Sequence, residues 1–132
     1  MKLTNLENQI VAFQRPLGIL EIKGNQRLEI IDRMSTNLVR LLQPNEGAAT
    51  VLTTDLGRII DRLLVFQSEE HCLVLTGENN GDNIARYLLK FIFFNDDFHL
   101  APLHTRFSTI FLYGKHLPQL LDKLTGVADL QE

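Results

Sequence analysis

The sequence predicts an α+β fold, in which helices pack on one face of a mostly antiparallel sheet. Three observations indicate this fold. The chain has 132 residues, the size of one domain. A hairpin-like stretch occupies residues 53–66 near its middle, and apolar residues recur at helical spacing on either side of it. The predicted order of elements is β-α-β-β-β-α-β-β-α in a single domain, residues 1–132.

The central hairpin has a turn at Asp55-Leu56-Gly57 between two apolar arms. Asp61 and Arg62 stand next to each other on its second arm. Because neighbouring residues of a strand point to opposite faces, at most one of the two can face a core while the other faces a groove or water. Any ligand site is therefore expected to use only one of them.

Before the hairpin, a strand is predicted near Gly18 to Ile22, because Arg15-Pro16 interrupts the apolar pattern that precedes it. A helix should run from about Asn25 to Met34. Asn37 is a candidate cap for a second, short helical turn, which ends at the loop Pro44-Asn45-Glu46-Gly47.

The hairpin arms are predicted at Ala48 to Thr54 and Arg58 to Phe66, and a third strand at His71 to Thr76. Short connections make these three consecutive strands antiparallel. A loop that ends in a candidate N-cap, Asp82, leads into the next helix. Apolar residues recur there at helical spacing, at Ile84, Tyr87, Leu88, Phe91 and Ile92.

The last third of the chain is predicted to hold a final strand pair, Phe98 to Ala101 with Thr105 to Tyr113. An amphipathic helix at Lys115 to Leu124 closes the fold, and Gly114 supplies the break before it.

Composition is that of an ordinary globular chain, with 45% hydrophobic and 22% charged residues. The formal net charge of −3 gives no overall attraction to nucleic acid or anionic lipid, so neither DNA nor a membrane is an expected partner. No stretch approaches ~18 uncharged apolar residues, and the start has no apolar signal region. A cytoplasmic location is the expectation.

Metal chemistry finds little support. The single cysteine, Cys72, lies in an apolar run and is interpreted as a small buried side chain. His99 and His104 fall on neighbouring predicted strands, but no cysteine or carboxylate pattern supports a metal site. The acidic cluster Asn95-Asp96-Asp97 is interpreted as a solvated stop to the preceding helix. The aromatic stripe Phe91, Phe93, Phe94 and Phe98 is predicted to be core.

Several segments resemble one family in order and spacing. Gly24 to Ile31, followed by Thr36-Asn37-Leu38-Val39, is similar to the early segment of the aminomethyltransferase superfamily, which reads Gly-x-Asp-Ala-x-x-Phe-Leu and then Thr-Asn-Asp-Val. The superfamily contains the glycine-cleavage T-protein (GcvT) and its folate-binding YgfZ-type relatives. The family's Gly-rich turn and its strand with an acidic residue before Leu-x-Val-Tyr resemble Gly57 to Phe66. Later family segments match His71 to Phe91 and Phe107 to Leu124, so the resemblance spans about 18–126.

The resemblance implies tetrahydrofolate as a cofactor and carries over a few residues. Thr36 and Asn37 keep the Thr-Asn pair that shapes the turn near the folate channel. The aspartate that contacts the pterin falls at Arg62, with Asp61 one residue early and turned to the other face unless a bulge intervenes. A folate-contacting asparagine falls at Thr76, which can still hydrogen-bond. Arg62, rather than Asp61, is expected to face the former vitamin pocket, where it can pair with a carboxylate such as the glutamate tail of a folate, or with a phosphate.

The function implied is a tetrahydrofolate-binding module that is degenerate and not catalytic alone; any activity would be tetrahydrofolate-dependent aminomethyl transfer. One alternative is a non-catalytic interaction or scaffold domain that assists iron–sulfur enzyme maturation or tRNA modification. The other is one half of a split aminomethyltransferase, because family members are more than twice as long and their later segments, including Lys-Gly-Cys-x-x-Gly-Gln, are absent here. A sheet without those segments should expose apolar surface, which predicts a homo-oligomer or a partner chain that supplies the later domains.

Overall fold

A computed structural model describes residues 9–125. In chain order its strands and helices are β1 (Val11–Arg15), β2 (Leu17–Lys23), α1 (Arg27–Arg33), a 3-10 helix (Val39–Leu41), β3 (Gly47–Thr53), β4 (Ile59–Gln67), β5 (His71–Glu78), α2 (Gly81–Leu89), β6 (His99–Pro102), β7 (Thr109–Tyr113) and α3 (Leu117–Thr125). These elements form two compact units, one built from residues 16–108 and one from the segments on either side of them.

The larger unit is a five-stranded sheet in the order β3-β4-β5-β2-β6, in which every neighbouring pair is antiparallel. The α+β class is confirmed, and the predicted order of elements is found from Leu17 onward. The hairpin turn is also where it was predicted, with Gly57 at φ +75°, a conformation that glycine adopts without steric cost.

Burial alternates along the strands and separates two faces of this sheet. In β4, Leu63 and Val65 are fully buried, whereas Phe66 is exposed and Leu64 is half-buried. The face with the buried residues, the core face, packs against α1 and α2. Its cluster includes Leu20, Ile22, Leu52, Leu63, Val65, Cys72 and Val74 from the sheet and Ile30, Ile31, Ile84, Ala85 and Leu88 from the two helices, together with Val39 and Phe98. Burying this many large apolar side chains supplies most of the stabilisation of such a unit.

The opposite side of the sheet, the second face, carries Arg62, Leu64 and Phe66 of β4 and their cross-strand partners. Arg62 lies opposite Val51 of β3. Leu64 lies between Ala49 of β3 and Leu75 of β5, and Phe66 lies between Gly47 of β3 and Leu73 of β5. Side chains on this face are half-buried or exposed.

The smaller unit pairs β1 with β7 in antiparallel register, from Val11 opposite Tyr113 to Arg15 opposite Thr109. The ring of Phe13 stacks on that of Phe111 at a centroid distance of 5.5 Å. The predicted last helix is confirmed as α3.

Two sequence predictions about strands are wrong. The strand β1 was not predicted, because Arg15-Pro16 was interpreted as an interruption when it is in fact the boundary between two strands. The predicted final strand pair does not form. Instead β6 pairs with β2, and β7 pairs with β1.

Two predicted helix caps are also wrong. Helix α2 begins at Gly81, after Asn80 in the N-cap position, so Asp82 lies in the first turn, where a carboxylate is favourable for the helix dipole. The residue before the 3-10 helix is Leu38, not Asn37. The Asn37 side-chain amide instead donates to the edge of the sheet, at the carbonyl of Ala49.

The phenylalanine stripe is not core. Phe98 alone of the four is buried, while Phe91, Phe93 and Phe94 have 48%, 69% and 104% of their surface exposed. Among residues 9–125 no helix is both long enough and apolar enough to cross a membrane.

Candidate functional site

The Asp61 carboxylate is held by three hydrogen bonds at the point where β4 and β5 separate. Oδ2 accepts from the backbone N–H of Gly77 and from the side-chain amide of Asn80, both at 2.8 Å. Oδ1 accepts from the backbone N–H of Arg62 at 2.8 Å. Because β4 and β5 diverge here, the backbone N–H groups of Arg62 and Gly77 have no carbonyl partner on the facing strand. The Asp61 carboxylate accepts their hydrogen bonds instead.

The Arg62 side chain is in the opposite situation. It is exposed, and among residues 9–125 its guanidinium makes no hydrogen bond or ion pair. Val51 lies opposite it on β3, and Leu64 is its neighbour on the same face of β4. Of the adjacent pair, therefore, the arginine has the exposed side chain, and the aspartate side chain is bonded to the protein itself.

Thr76 is enclosed. It is 3% exposed, and its hydroxyl donates to the carbonyl of Gly77 at 3.1 Å. A side chain on Gly18 would overlap both the Thr76 hydroxyl and the backbone of Gly81, so these three residues are in close contact. The space that a ligand would need beside the hydroxyl is filled by the protein itself.

Thr36 and Asn37 bond the outer edge of β3. The backbone N–H of Thr36 donates to the carbonyl of Val51 at 3.1 Å, and the Thr36 hydroxyl accepts from the N–H of Val51 at 3.3 Å. The Asn37 side-chain amide donates to the carbonyl of Ala49 at 2.9 Å. The pair therefore covers an edge whose unpaired groups would otherwise be open to another strand.

The candidate residues lie along one line across the sheet. Thr36 bonds Val51, Val51 is the cross-strand partner of Arg62, and Asp61 bonds Gly77 on β5. With strands ~4.8 Å apart, the backbones of Thr36 and Arg62 are separated by roughly 10 Å. The structure thus brings Thr36 and Asn37 to the same end of the sheet as Arg62, whereas Thr76 is shut into the core face.

One polar pair near this end was missed by sequence reasoning. Nε2 of His104 lies 2.9 Å from a carboxylate oxygen of Asp82, and the ring packs against Gly81 at the start of α2. The two residues are 22 positions apart, on a helix and in the loop after β6, so no local spacing could have indicated the contact.

Cys72 is fully buried, as predicted, and burial raises the pKa of its thiol to about 12. The thiol therefore stays protonated near neutral pH and is a poor nucleophile. Within residues 9–125 no group of three or more His, Cys, Asp or Glu side chains is placed to hold a metal ion.

The acidic cluster Asn95-Asp96-Asp97 is used internally. The Asp96 carboxylate accepts from the N–H of Phe93 at 2.8 Å, and that of Asp97 accepts from the N–H of Asn25 at 2.7 Å. A separate open cleft of about 400 Å³ is lined by Asn25, Arg27, Leu28, Glu29, Arg40 and Gln67. It contains none of the residues predicted to bind a ligand.

No family model matches the chain. Curated proteins named aminomethyltransferase are similar to it. That of Desulfitobacterium hafniense (strain DSM 10664 / DCB-2) is 28% identical over 115 residues, which cover 84% of this chain and 30% of the relative. That of Bacillus velezensis is 29% identical over 111 residues, covering 83% and 30%. That of Thermosipho melanesiensis is 22% identical over 138 residues, covering 98% and 38%.

A solved structure has the same fold. The glycine cleavage system aminomethyltransferase T from Bartonella henselae matches with a TM-score of 0.78 at 15% identity, over 91% of this chain and 33% of that one. The chain spans about a third of the length of the relatives that it matches. In sequence and fold it is therefore aminomethyltransferase-like, similar to the N-terminal portion of GcvT.

Proposed function

We propose that this chain is a tetrahydrofolate-binding module of the aminomethyltransferase type, and that it does not catalyse aminomethyl transfer by itself. The observation that carries the proposal is the exposed guanidinium of Arg62 on the second face of the sheet, which makes no hydrogen bond or ion pair within residues 9–125. Similarity to proteins named aminomethyltransferase supports the ligand class.

The surroundings of Arg62 suit a ligand that is flat and carries an acid. Val51 and Leu64, both half-buried, form an apolar surface beside the guanidinium on the same face. An aromatic ring system can lie on such a surface while a carboxylate forms a two-pronged bond with the guanidinium, the geometry that arginine favours. The tail of a folate offers carboxylates of this kind.

The same residues argue against catalysis by this chain. A guanidinium does not release its proton in proteins, so Arg62 cannot act as an acid or base at the ligand. The neighbouring carboxylate, Asp61, accepts three hydrogen bonds from the protein itself and is not available to a ligand without breaking them. A folate that binds here is held without being activated.

Calorimetric titration with 5-formyltetrahydrofolate tests the proposal. We expect saturable binding that Arg62→Ala weakens by about 10-fold to 100-fold, since a hydrogen bond to a charged group contributes about 1.5 to 3 kcal/mol. Arg58→Ala is the matched control, because Arg58 is an exposed arginine of the same hairpin and its removal changes the net charge equally. Absence of binding at millimolar ligand, or equal effects of the two substitutions, would overturn the proposal.

A second candidate function is a non-catalytic interaction domain that assists a partner protein, in iron–sulfur enzyme maturation or tRNA modification. The observation that favours it is the exposure of Phe91, Phe93 and Phe94, which places large apolar surface in water. The same titration separates the two readings, because an interaction domain that has lost its site binds no folate.

A further inference from the structure

We propose that the loop after α2 is the dimerisation surface of this protein, and that Phe94 of each copy inserts into an apolar groove of the other. The proposal is independent of folate binding. It depends on three features of residues 24–97: a fully exposed aromatic ring, the rigid turn that holds it, and a groove beside it that fits such a ring.

The exposed ring lies at the tip of a turn. Phe94 has 104% of its reference surface in contact with solvent, and Phe93 beside it has 69%. A single exposed apolar side chain is ordinary, but Leu89 and Phe91 of the same segment are also about half exposed. Four exposed apolar side chains thus fall within residues 89–94, and their burial would be favourable.

The turn is fixed before any partner binds. The N–H of Asp96 donates to the carbonyl of Phe93 at 3.0 Å, and the N–H of Phe93 donates to the Asp96 carboxylate at 2.8 Å. Because both ends of the turn are bonded to each other, little conformational entropy remains to be lost at Phe94 on association.

The turn is also anchored to the start of α1. The N–H of Asp97 donates to the side-chain oxygen of Gln26 at 2.7 Å, and the N–H of Asn25 donates to the Asp97 carboxylate at 2.7 Å. Gly24, at φ +107°, permits this approach, since any side chain there would overlap the carbonyl of Asp97. The exposed ring is thus presented by a built structure rather than by a loose loop.

The receiving groove lies next to the ring. It has a volume of about 220 Å³ and is lined by Ile30, Arg33, Met34, Phe91 and Phe93. An apolar cavity of ~150 Å³ is enough to take up benzene. The groove can therefore accept one phenylalanine ring of another molecule.

Ring and groove on one patch make a self-complementary surface, which is what a two-fold dimer requires. Charge supports a second copy as the occupant. Arg33 lines the groove, is exposed and has no ion pair among residues 9–125, while Asp96 lies two positions from the inserting ring. Exchange of Phe94 between two copies brings each Asp96 towards the Arg33 of the other.

The expected dimer is weak. The three exposed phenylalanines offer on the order of 400 Å² per copy, taking ~200 Å² for a fully exposed ring. Both copies together then bury about 1,000 Å² once the polar rim is included, which is near the lower limit for a specific interface. We expect a dissociation constant in the micromolar range.

Sedimentation equilibrium of the whole chain between about 1 and 500 µM is the test. We expect a monomer–dimer equilibrium that Phe94→Ser weakens by about 30-fold or more, as for a central aromatic anchor, and that Arg33→Asp also weakens. Leu56→Ser is the control. Leu56 is 79% exposed at the tip of a different turn, so this substitution should leave the dimer unchanged.

Two results would overturn the proposal. One is a monomer throughout the concentration range, including a monomer that binds anionic lipid vesicles through Phe94. The other is a dimer that Phe94→Ser leaves intact, which would place the interface elsewhere on the chain. Circular dichroism of each variant excludes misfolding as the cause of a lost dimer.

Discussion

The backbone N–H of Gly77 on β5 donates to the carboxylate of Asp61 on β4 at 2.8 Å, across the gap that opens where these two strands diverge. This bond gives the acidic residue on the second arm of the central hairpin a structural role. It also leaves Arg62 as the charged residue of the pair that faces away from the fold.

We expect Asp61→Ala to lower the free energy of unfolding by about 2 to 3 kcal/mol, because two backbone donors and the Asn80 amide lose a charged acceptor. Asp61→Asn keeps one acceptor oxygen and should cost less. Urea denaturation measures both. Asp55→Ala serves as control, since exposed Asp55 accepts one local bond from Leu56 and its loss should change stability by less than about 0.5 kcal/mol. An Asp61→Ala variant as stable as the Asp55→Ala variant would contradict the structural role.

Gly18 and Gly57 provide a matched pair of glycine substitutions. Gly18→Ala places a methyl group onto the Thr76 hydroxyl and the Gly81 backbone, so we expect a loss of about 3 kcal/mol or more, or failure to fold. Gly57→Ala meets no atom within 4 Å and should cost about 1 to 2 kcal/mol, the penalty for a positive φ. Thermal unfolding ranks the two. If Gly57→Ala proved the more damaging, the close packing of β2 against the start of α2 would be wrong.

The buried thiol of Cys72 reports on unfolding of the protein and on how its stability changes at alkaline pH. Because burial raises the pKa of this thiol to about 12, iodoacetamide should not modify it in the folded protein but should do so in urea. The folded state holds the proton more tightly than the unfolded state does. The thiol's contribution to the free energy of unfolding is therefore fully present at pH values below about 9, the pKa of the unfolded state. It decreases as the pH rises towards 12, by at most about 1.4 kcal/mol per pH unit.

Comparison with Cys72→Ala isolates this effect from other groups that titrate at alkaline pH. The difference in unfolding free energy between wild type and variant should shrink between pH 9 and about pH 11. Rapid modification of native Cys72 at pH 8, or a difference that grows with pH, would show that the thiol is not enclosed.

Local pattern was sufficient for much of the fold. The strands β3, β4 and β5 are joined by short connections, so alternation and the turn at Gly57 predicted their pairing, and their bounds to within two residues. The partners of β6 and β7 are β2 and β1, each more than 70 residues away in the chain. The residues next to β6 and β7 in the sequence do not encode such distant partners. The prediction therefore paired these two strands with each other, which is wrong.

The sequence singled out candidate ligand residues, but it did not predict the contacts that those residues make. Four of these residues lie at one end of the sheet: Thr36, Asn37, Asp61 and Arg62. No local spacing encodes that Asp61 fills a gap between strands or that Asn37 covers an edge, because both contacts join residues far apart in the sequence. Thr76 has a hydroxyl that can hydrogen-bond, but Gly18 and Gly81 pack closely beside it and leave no space for a ligand. The phenylalanines of residues 91–94 were predicted as core because an aromatic run usually is, and a turn bonded by Asp96 holds them outside instead.

The most direct measurement for the central claim pairs a change in the protein with a change in the ligand. Calorimetry would compare 5-formyltetrahydrofolate with its pteroate analogue, which lacks the glutamate, on wild type and on Arg62→Ala. If Arg62 holds the glutamate carboxylate, removal of the glutamate should weaken binding to wild type by about 10-fold or more and have almost no further effect on the variant. No binding of either ligand to wild type, or an equal loss in both proteins, would contradict the account.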